Sequence, residues 1–406
     1  MNILMISPNI PYPMAGYSTR NYHILKALAS RHSVSLFALN DRYSGIQQDL
    51  SLLDHMTRQI NIFRRAHVAP KRLEQLIAII RRRPHILNAE FVEELQKAID
   101  EAMKTHFDLV LFESSLISGY RLPAHMPVII DQHNLEYEIF LRTSEREKAW
   151  PRKWYNRIEG HQLKAIEIER CRKADALLVT SEREYRELKQ LLPQSVIKIV
   201  PNGVDTDSFN PNHSYNEIEN RIVFTGALDY YPNIDAILFF AQHCWPRIHQ
   251  YIPTATWQIV GKNPPPQICR LSQVPGIIVT GSVPQILPYL AMAQVAIAPI
   301  LIGSGTRLKI LEAFAAQKAV VSTSTGCEGL EVEPGRHLAL ADRPETFAQE
   351  VITLLQNPEQ RSYLGKMGRR LVEEKYSWQH CTSPLLELLD DLQVKGRGEH
   401  ANTSTI

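Results

Sequence analysis

The chain has 406 residues, which is too long for one ordinary hydrophobic core and favours two domains. Hydrophobic residues make up 44% and charged residues 22% of the sequence, a composition that excludes disordered, collagen-like and fibrous proteins. The formal net charge is +2, and no wide basic field or aromatic platform indicates a nucleic-acid partner. Five widely spaced cysteines without a CxxC pair exclude a zinc finger and are typical of thiols in a reducing cytoplasm.

Short apolar runs bounded by Gly, Pro or Asp alternate with amphipathic helical stretches along the whole chain, which predicts parallel βαβ units and an α/β fold. The predicted strands of the first half are 3–6, 34–38, 59–62, 109–112, 128–130, 176–179 and 197–200. Those of the second half are 222–225, 257–260, 277–280, 295–298, 320–322 and 338–341. The first strand follows Met1 directly, and the N-terminus lacks the basic start and long apolar run of a signal peptide.

The segment from Pro201 to Asn220 is dense in Asn, Asp and Pro and carries no strand or helix pattern. It separates an N-terminal domain, 1–200, from a second domain, 201–375. Each is predicted to be a doubly wound, Rossmann-like domain with its ligand site at the carboxyl ends of its strands, facing a central cleft. A C-terminal helix over 376–395 is expected to cross back to the first domain, and residues 396–406 are predicted to be disordered.

The strongest functional signal follows the predicted strand that ends at Pro299. A glycine-containing loop, 303–306, leads there into a helix that carries Arg307, Lys309 and Glu312. Glycines let the backbone approach a ligand closely, and the free N–H groups of a helix start favour an anion. Two cations at this point can neutralise a diphosphate, and a carboxylate can accept both hydroxyl hydrogens of a ribose. An ordinary loop with solvated charges remains the alternative interpretation.

The stretches Leu311–Ala315 and Ala319–Thr323 resemble the donor-binding signature of the family 4 retaining glycosyltransferases, the glycosyl transferases group 1, which have the GT-B fold. The stretches Asp175–Ser181 and Val200–Asp205 extend the resemblance over nearly the whole chain. It implies that Glu312 binds the ribose of a nucleotide-diphosphate sugar. It also implies transfer of the sugar to a saccharide or lipid-linked acceptor with retention of configuration, without a metal or other cofactor, in polysaccharide or cell-envelope glycan synthesis.

The sequence departs from the family pattern at two positions. Ser304 stands eight residues before Glu312, where the family has the first Glu of its signature. Gly226 is followed by Ala227, where the family has a basic residue. Neutralisation of the diphosphate is therefore expected to depend on Arg307 and Lys309.

In the first domain the resemblance assigns Gly16 to a loop that touches the donor phosphate, and His133 to a position beside the donor sugar. The strand over 128–130 runs out into Asp131, His133 and Asn134, which places polar groups at the edge of the sheet. A turn glycine and a structural histidine are the simpler alternatives. The predicted catalytic residues are His133, Arg307 and Lys309. The predicted donor-binding residues are Gly16, Gly303, Ser304, Gly305, Thr306 and Glu312.

Basic residues cluster over 64–83 around an apolar run. Such a segment could lie on an anionic membrane and bring a lipid-linked acceptor to a cytoplasmic enzyme at the inner face, or it could be a solvated helix face. Two other functions stay open: a GT-B-type sugar-nucleotide epimerase, and a catalytically silent subunit that only binds nucleotide sugar. An NAD-dependent dehydrogenase is disfavoured because no G-x-G-x-x-G follows a predicted strand.

Overall fold

A computed structural model describes residues 1–12, 17–40, 50–65, 77–78, 80–81, 83–211, 214–303 and 307–403. The chain divides into two compact units. The first comprises Met1–Pro201 and Thr382–Ile406, and the second comprises Asn202–Cys381.

The first unit is built on a seven-stranded sheet in which every pair of neighbouring strands is parallel. Its strands are β1 (Asn2–Ser7), β2 (Ser33–Asn40), β3 (Gln59–Arg64), β4 (Leu109–Phe112), β5 (Val128–Gln132), β6 (Ala176–Val179) and β7 (Val196–Ile199). The strand order is β3-β2-β1-β4-β5-β6-β7, so the direction of winding reverses between β1 and β4. In open α/β sheets ligands bind beside such a reversal, at the carboxyl ends of the strands.

Helices connect these strands, as parallel pairing requires. They are α1 (Tyr17–Ala29), α2 (Ser51–Asp54), α3 (Glu93–Ala102), α4 (Glu136–Arg146), α5 (Trp150–Lys173) and α6 (Glu182–Leu191), with a 3₁₀ turn at His85–Ala89. The central strands are buried on both faces, which explains why they read as continuous apolar runs in the sequence. Two apolar cores result, one on each side of the sheet.

The second unit has a six-stranded sheet of the same kind, again parallel throughout. Its strands are β8 (Arg221–Thr225), β9 (Thr256–Val260), β10 (Ile277–Gly281), β11 (Val295–Ala298), β12 (Ala319–Ser322) and β13 (Ala339–Leu340). The order β10-β9-β8-β11-β12-β13 places the reversal between β8 and β11. The predicted fold class, α/β with two doubly wound sheets, is confirmed.

The helices of the second unit are α7 (Tyr231–Phe239), α8 (Trp245–Tyr251), α9 (Pro266–Cys269), α10 (Leu287–Met292), α11 (Leu308–Ala315), α12 (Pro344–Gln356) and α13 (Pro358–Lys375). A π-helical turn, Phe240–Cys244, joins α7 to α8, and a 3₁₀ turn, Arg270–Gln273, follows α9. Again two apolar cores cover the two faces of the sheet.

The last helix, α14, spans Trp378–Thr403. Its residues Leu385, Leu388 and Leu389 are buried in the core of the first unit. The helix runs through part of the 396–406 segment for which disorder is predicted, because extending an existing helix fixes only one residue for each hydrogen bond gained. No helix in the described ranges is both long enough and apolar enough to cross a membrane.

Candidate functional site

In the second unit, a glycine at the end of β8 lets a charged side chain approach the backbone. Gly226 has φ +145°, a conformation that side-chain-bearing residues rarely adopt. A Cβ atom on Gly226 would lie 2.9 Å from Nδ2 of Asn233 and 3.0 Å from Nζ of Lys309. The amide of α7 and the amine of α11 therefore meet directly over the glycine, beside the strand-order reversal.

Three groups hold the Lys309 amine at this point. Its Nζ donates a hydrogen bond to Oδ1 of Asn233 at 2.7 Å, and it lies 3.8 Å from the centre of the Phe224 ring. Asn233 Nδ2 donates to the Ala227 carbonyl oxygen at 2.7 Å, which fixes the amide with its oxygen towards the lysine. The amine is thus oriented by neutral groups, and within the described residues it forms no ion pair.

The charge balance at Lys309 is unfavourable without an anion. Burial lowers the pKa of Lys309 well below its ordinary value, and the nearby Arg307 acts in the same direction. Glu312 opposes both effects, but more weakly. A buried amine next to a second cation gains most when a negative ligand supplies the missing charge.

A second glycine, Gly303, lies against Arg307. Gly303 has φ +147°, and a Cβ atom there would collide with the Arg307 guanidinium group. Arg307 is the residue immediately before α11, at the end that carries free backbone N–H groups. The predicted residues Ser304, Gly305 and Thr306 lie outside the described residues.

Glu312 is placed one turn after Lys309 on α11 and is half-buried. Burial raises the pKa of Glu312 to about 7, against the opposing charge of Lys309. Within the described part of the chain its carboxyl makes no side-chain hydrogen bond. Its two oxygens can therefore accept hydrogen bonds from a ligand with paired hydroxyls. The structure thus brings Arg307, Lys309 and Glu312 together at one strand-to-helix junction.

The first unit carries a buried ion pair at the ends of its central strands. Nε of Arg20 lies 2.8 Å from Oδ2 of Asp131, and Nη2 lies 2.7 Å from Oδ1. Nη1 donates to the carbonyl oxygen of Val200 at 2.8 Å. Both side chains are at most 2% exposed, so the pair satisfies a carboxylate and a guanidinium that water does not reach.

His133 adjoins this ion pair. Its Nε2 lies 3.1 Å from Oε2 of Glu113 and 3.3 Å from Oδ2 of Asp131. Burial opposes a charge on the imidazole, but Asp131 and Glu113 outweigh it and raise the pKa of His133. Burial raises the pKa of Glu113 to about 7, although the hydrogen bond with His133 opposes the shift. For Asp131, Arg20 and His133 overcome burial and hold the pKa well below its usual range.

This group has the donor atoms of a metal site but the bonding of an ion-pair network. Single ligand atoms of Glu113, Asp131 and His133 lie within 4.8 Å of one another, the one such group among the described residues. Both oxygens of Asp131 already accept hydrogen bonds from Arg20. A metal bound here would have to compete with that bidentate pair, so we describe the group as the element that orients His133.

The sequence interpretation identified part of this cluster. Asp131 and His133 lie at the strand edge as predicted, whereas Asn134 donates to Glu136 within the following helix. Gly16 lies outside the described residues. Arg20 and Glu113 were missed. The signal for Glu113 was available, since it directly follows β4, a neighbour of β5 in the sheet.

Two family profiles match the chain. The profile described as Glycosyltransferase Family 4 matches residues 14–208, and the profile described as Glycosyl transferases group 1 matches residues 219–357. Together they account for most of the sequence. The chain therefore belongs to the family 4, group 1 glycosyltransferases, and it is a glycosyltransferase enzyme. No curated protein sequence gives a significant match.

Solved structures of glycosyltransferases share the whole fold. Sucrose-phosphate synthase from Thermosynechococcus elongatus has a TM-score of 0.68 and 16% identity, over 97% of this chain and 100% of that one. Anabaena HepE in complex with UDP-glucose has a TM-score of 0.66 and 15% identity, over 96% and 100%. S. aureus TarM in complex with fondaparinux, alpha-GlcNAc-glycerol and UDP has a TM-score of 0.67 and 11% identity, over 95% and 99%. These likenesses identify the fold as GT-B.

Proposed function

We propose that this glycosyltransferase moves a sugar from a nucleotide-diphosphate sugar to a saccharide or lipid-linked acceptor, with retention of the anomeric configuration. We propose a role in polysaccharide or cell-envelope glycan synthesis. Two neighbours of the same fold are described in complexes with UDP or UDP-glucose, and one of these also with saccharide-containing compounds, which supports this class of donor and acceptor. The uridine base itself is not part of the proposal.

One observation carries the donor assignment: the Lys309 amine is held against Gly226 by an amide and a ring, with Arg307 as its nearest cation. A diphosphate at this point would supply the negative charge that the described residues do not provide. Glu312, with two free carboxyl oxygens, would accept the hydroxyl hydrogens of the ribose. Gly303, Ser304, Gly305 and Thr306 would offer backbone N–H groups to the phosphates.

We assign the chemistry to the leaving phosphate and its cations. The bond between the anomeric carbon and the diphosphate oxygen breaks while the acceptor oxygen bonds to the same face of that carbon. The acceptor hydroxyl proton passes to the departing phosphate oxygen, so no protein nucleophile is needed. Arg307 and Lys309 stabilise the charge that develops on the phosphate, and no divalent metal is required for that purpose.

The roles of the first unit follow from the resemblance. His133 is proposed to contact the transferred sugar, and Gly16 the donor phosphate. The network of Arg20, Asp131 and Glu113 would keep the imidazole in one orientation. We also propose a cytoplasmic location and a peripheral contact with the membrane through the basic segment 64–83, which would present a lipid-linked acceptor.

A panel of nucleotide sugars tests the proposal. Those that raise the melting temperature should include the donor, and release of nucleoside diphosphate should then require an acceptor and continue in excess chelator. Epimerisation of the donor sugar without an acceptor would identify the epimerase instead. Stabilisation by a nucleotide sugar without any turnover would identify a silent binding subunit.

A further inference from the structure

Two tryptophans at the start of α5 are exposed to solvent. Trp150 is 70% exposed and Trp154 is 51% exposed, one helical turn apart and so on the same face. The chain has five tryptophans, and the other three, Trp245, Trp257 and Trp378, are at most 7% exposed. Large aromatic side chains normally bury most of their surface, so this exposed pair requires an explanation.

Basic side chains surround the exposed rings. Lys148, Arg152, Lys153 and Arg157 are all exposed, and within the described ranges none of them forms an ion pair. The first turn of α5 contains no acidic residue, although a helix start favours acidic and disfavours basic side chains. Helix stability therefore does not account for these cations. We call Lys148, Trp150, Arg152, Lys153, Trp154 and Arg157 the Trp150 patch.

The rest of α5 is firmly packed, so the patch is displayed on a fixed support. Gly160, Leu163 and Cys171 of the same helix are buried. Oε1 of Glu159 accepts a hydrogen bond from the backbone N–H of Ile86 at 3.2 Å. This bond places the chain that follows the basic segment 64–83 against the side of α5. Within that segment Ile80 is 80% exposed.

We infer that the Trp150 patch docks the first unit onto an anionic phospholipid bilayer. Indole rings partition to the boundary between headgroups and acyl chains, since they are apolar with one hydrogen-bond donor. Lysine and arginine around them are attracted to anionic headgroups. The inference deepens the membrane contact of the proposed function, but it rests on other residues and does not depend on sugar transfer.

The intrinsic fluorescence of the full chain tests this directly, because only the Trp150 patch contains exposed tryptophans among the five. Vesicles of phosphatidylcholine with phosphatidylglycerol should shift the emission to shorter wavelength and reduce quenching by acrylamide. Pure phosphatidylcholine vesicles should produce neither effect. Trp150→Phe/Trp154→Phe should abolish the spectral shift, which identifies the reporting residues.

Vesicle co-sedimentation measures the binding itself. Trp150→Ala/Trp154→Ala and Arg152→Glu/Lys153→Glu should each weaken binding to anionic vesicles by about ten-fold or more. Tyr363→Ala, which removes an aromatic ring 51% exposed on the second unit, should bind like the parent. Circular dichroism checks that each variant is folded.

Three results would overturn the inference: unchanged vesicle binding by both double variants, equal binding to neutral vesicles, or a change of oligomeric state in the tryptophan variant with vesicle binding retained. Preferential binding of the patch to RNA over anionic vesicles would also contradict it. Sugar transfer to a soluble acceptor is scored separately. An inactive enzyme that still binds anionic vesicles would refute the proposed function and leave the docking surface intact.

Discussion

The amine of Lys309 donates a 2.7 Å hydrogen bond to the side-chain oxygen of Asn233, and the two residues meet over Gly226 at the end of β8. The contact joins α11 to α7 across the point where the strand order reverses. It supplies a positive group beside the position where the family has a basic residue and this chain has Ala227. A lysine from the later helix thus stands close to a charge that is missing from the earlier loop.

Glu312→Ala should weaken nucleotide binding by about 1.5 to 3 kcal/mol, because it removes hydrogen bonds to a charged acceptor. Titration calorimetry with the nucleotide measures this change. Burial raises the pKa of Glu312 to about 7, so its ionised fraction grows as the pH rises from 6 to 8. Nucleotide affinity should rise over that range, and Glu312→Gln should lose this component. Exposed Glu359→Gln is the matched control, and an equal pH response in Glu312→Gln would contradict the assignment.

Gly226→Ala should lower both stability and donor affinity. The new methyl group would occupy a strained φ and would displace the Asn233 amide and the Lys309 amine. Gly335 has φ +79°, and no atom lies within 4 Å of the point that a Cβ atom would occupy there, so Gly335→Ala introduces backbone strain alone. Melting curves should show a loss for both variants, whereas nucleotide affinity should fall only for Gly226→Ala. Equal affinities would show that the approach to Gly226 is unimportant.

Arg20→Ala should destabilise the protein by about 3 to 5 kcal/mol, because it leaves the Asp131 carboxylate buried without its partner. Urea unfolding measures this change. The matched control is Arg31→Ala, which breaks a pair with Asp390 in which both side chains are 55% exposed, and it should cost at most about 1 kcal/mol. Similar losses in the two variants would contradict the account.

Glu113 should make stability depend on pH. Its pKa rises from about 4.5 to about 7 on folding, so between these values the folded protein holds a proton that the unfolded chain releases. The stabilisation is fully present below pH 4.5 and is lost as the pH rises to 7, at about 1.4 kcal/mol per pH unit. Glu113→Gln should remove this component from the unfolding free energy. An identical slope in parent and variant would refute it.

The fold was largely predictable because each buried parallel strand is a short apolar run. The predicted strand 295–298, for example, is β11 as observed. The contacts of the candidate site were not predictable in the same way. Arg20 and Asp131 are 111 residues apart, and Asn233 and Lys309 are 76 residues apart. Their meeting depends on which strands are neighbours in the sheet, and apolar periodicity carries no information about that order.

The central claim is that Arg307 and Lys309 stabilise the departing phosphate, and it is tested most directly by comparing turnover with nucleotide affinity in Arg307→Ala and Lys309→Ala. Both variants should lose about a hundred-fold in kcat while nucleotide binding changes far less, since the charge they neutralise grows as the bond breaks. Exposed Lys366→Ala, in the same unit, should behave like the parent. If folded Arg307→Ala and Lys309→Ala bind the nucleotide sugar and transfer its sugar as the parent does, the assignment of the donor site to α11 is wrong.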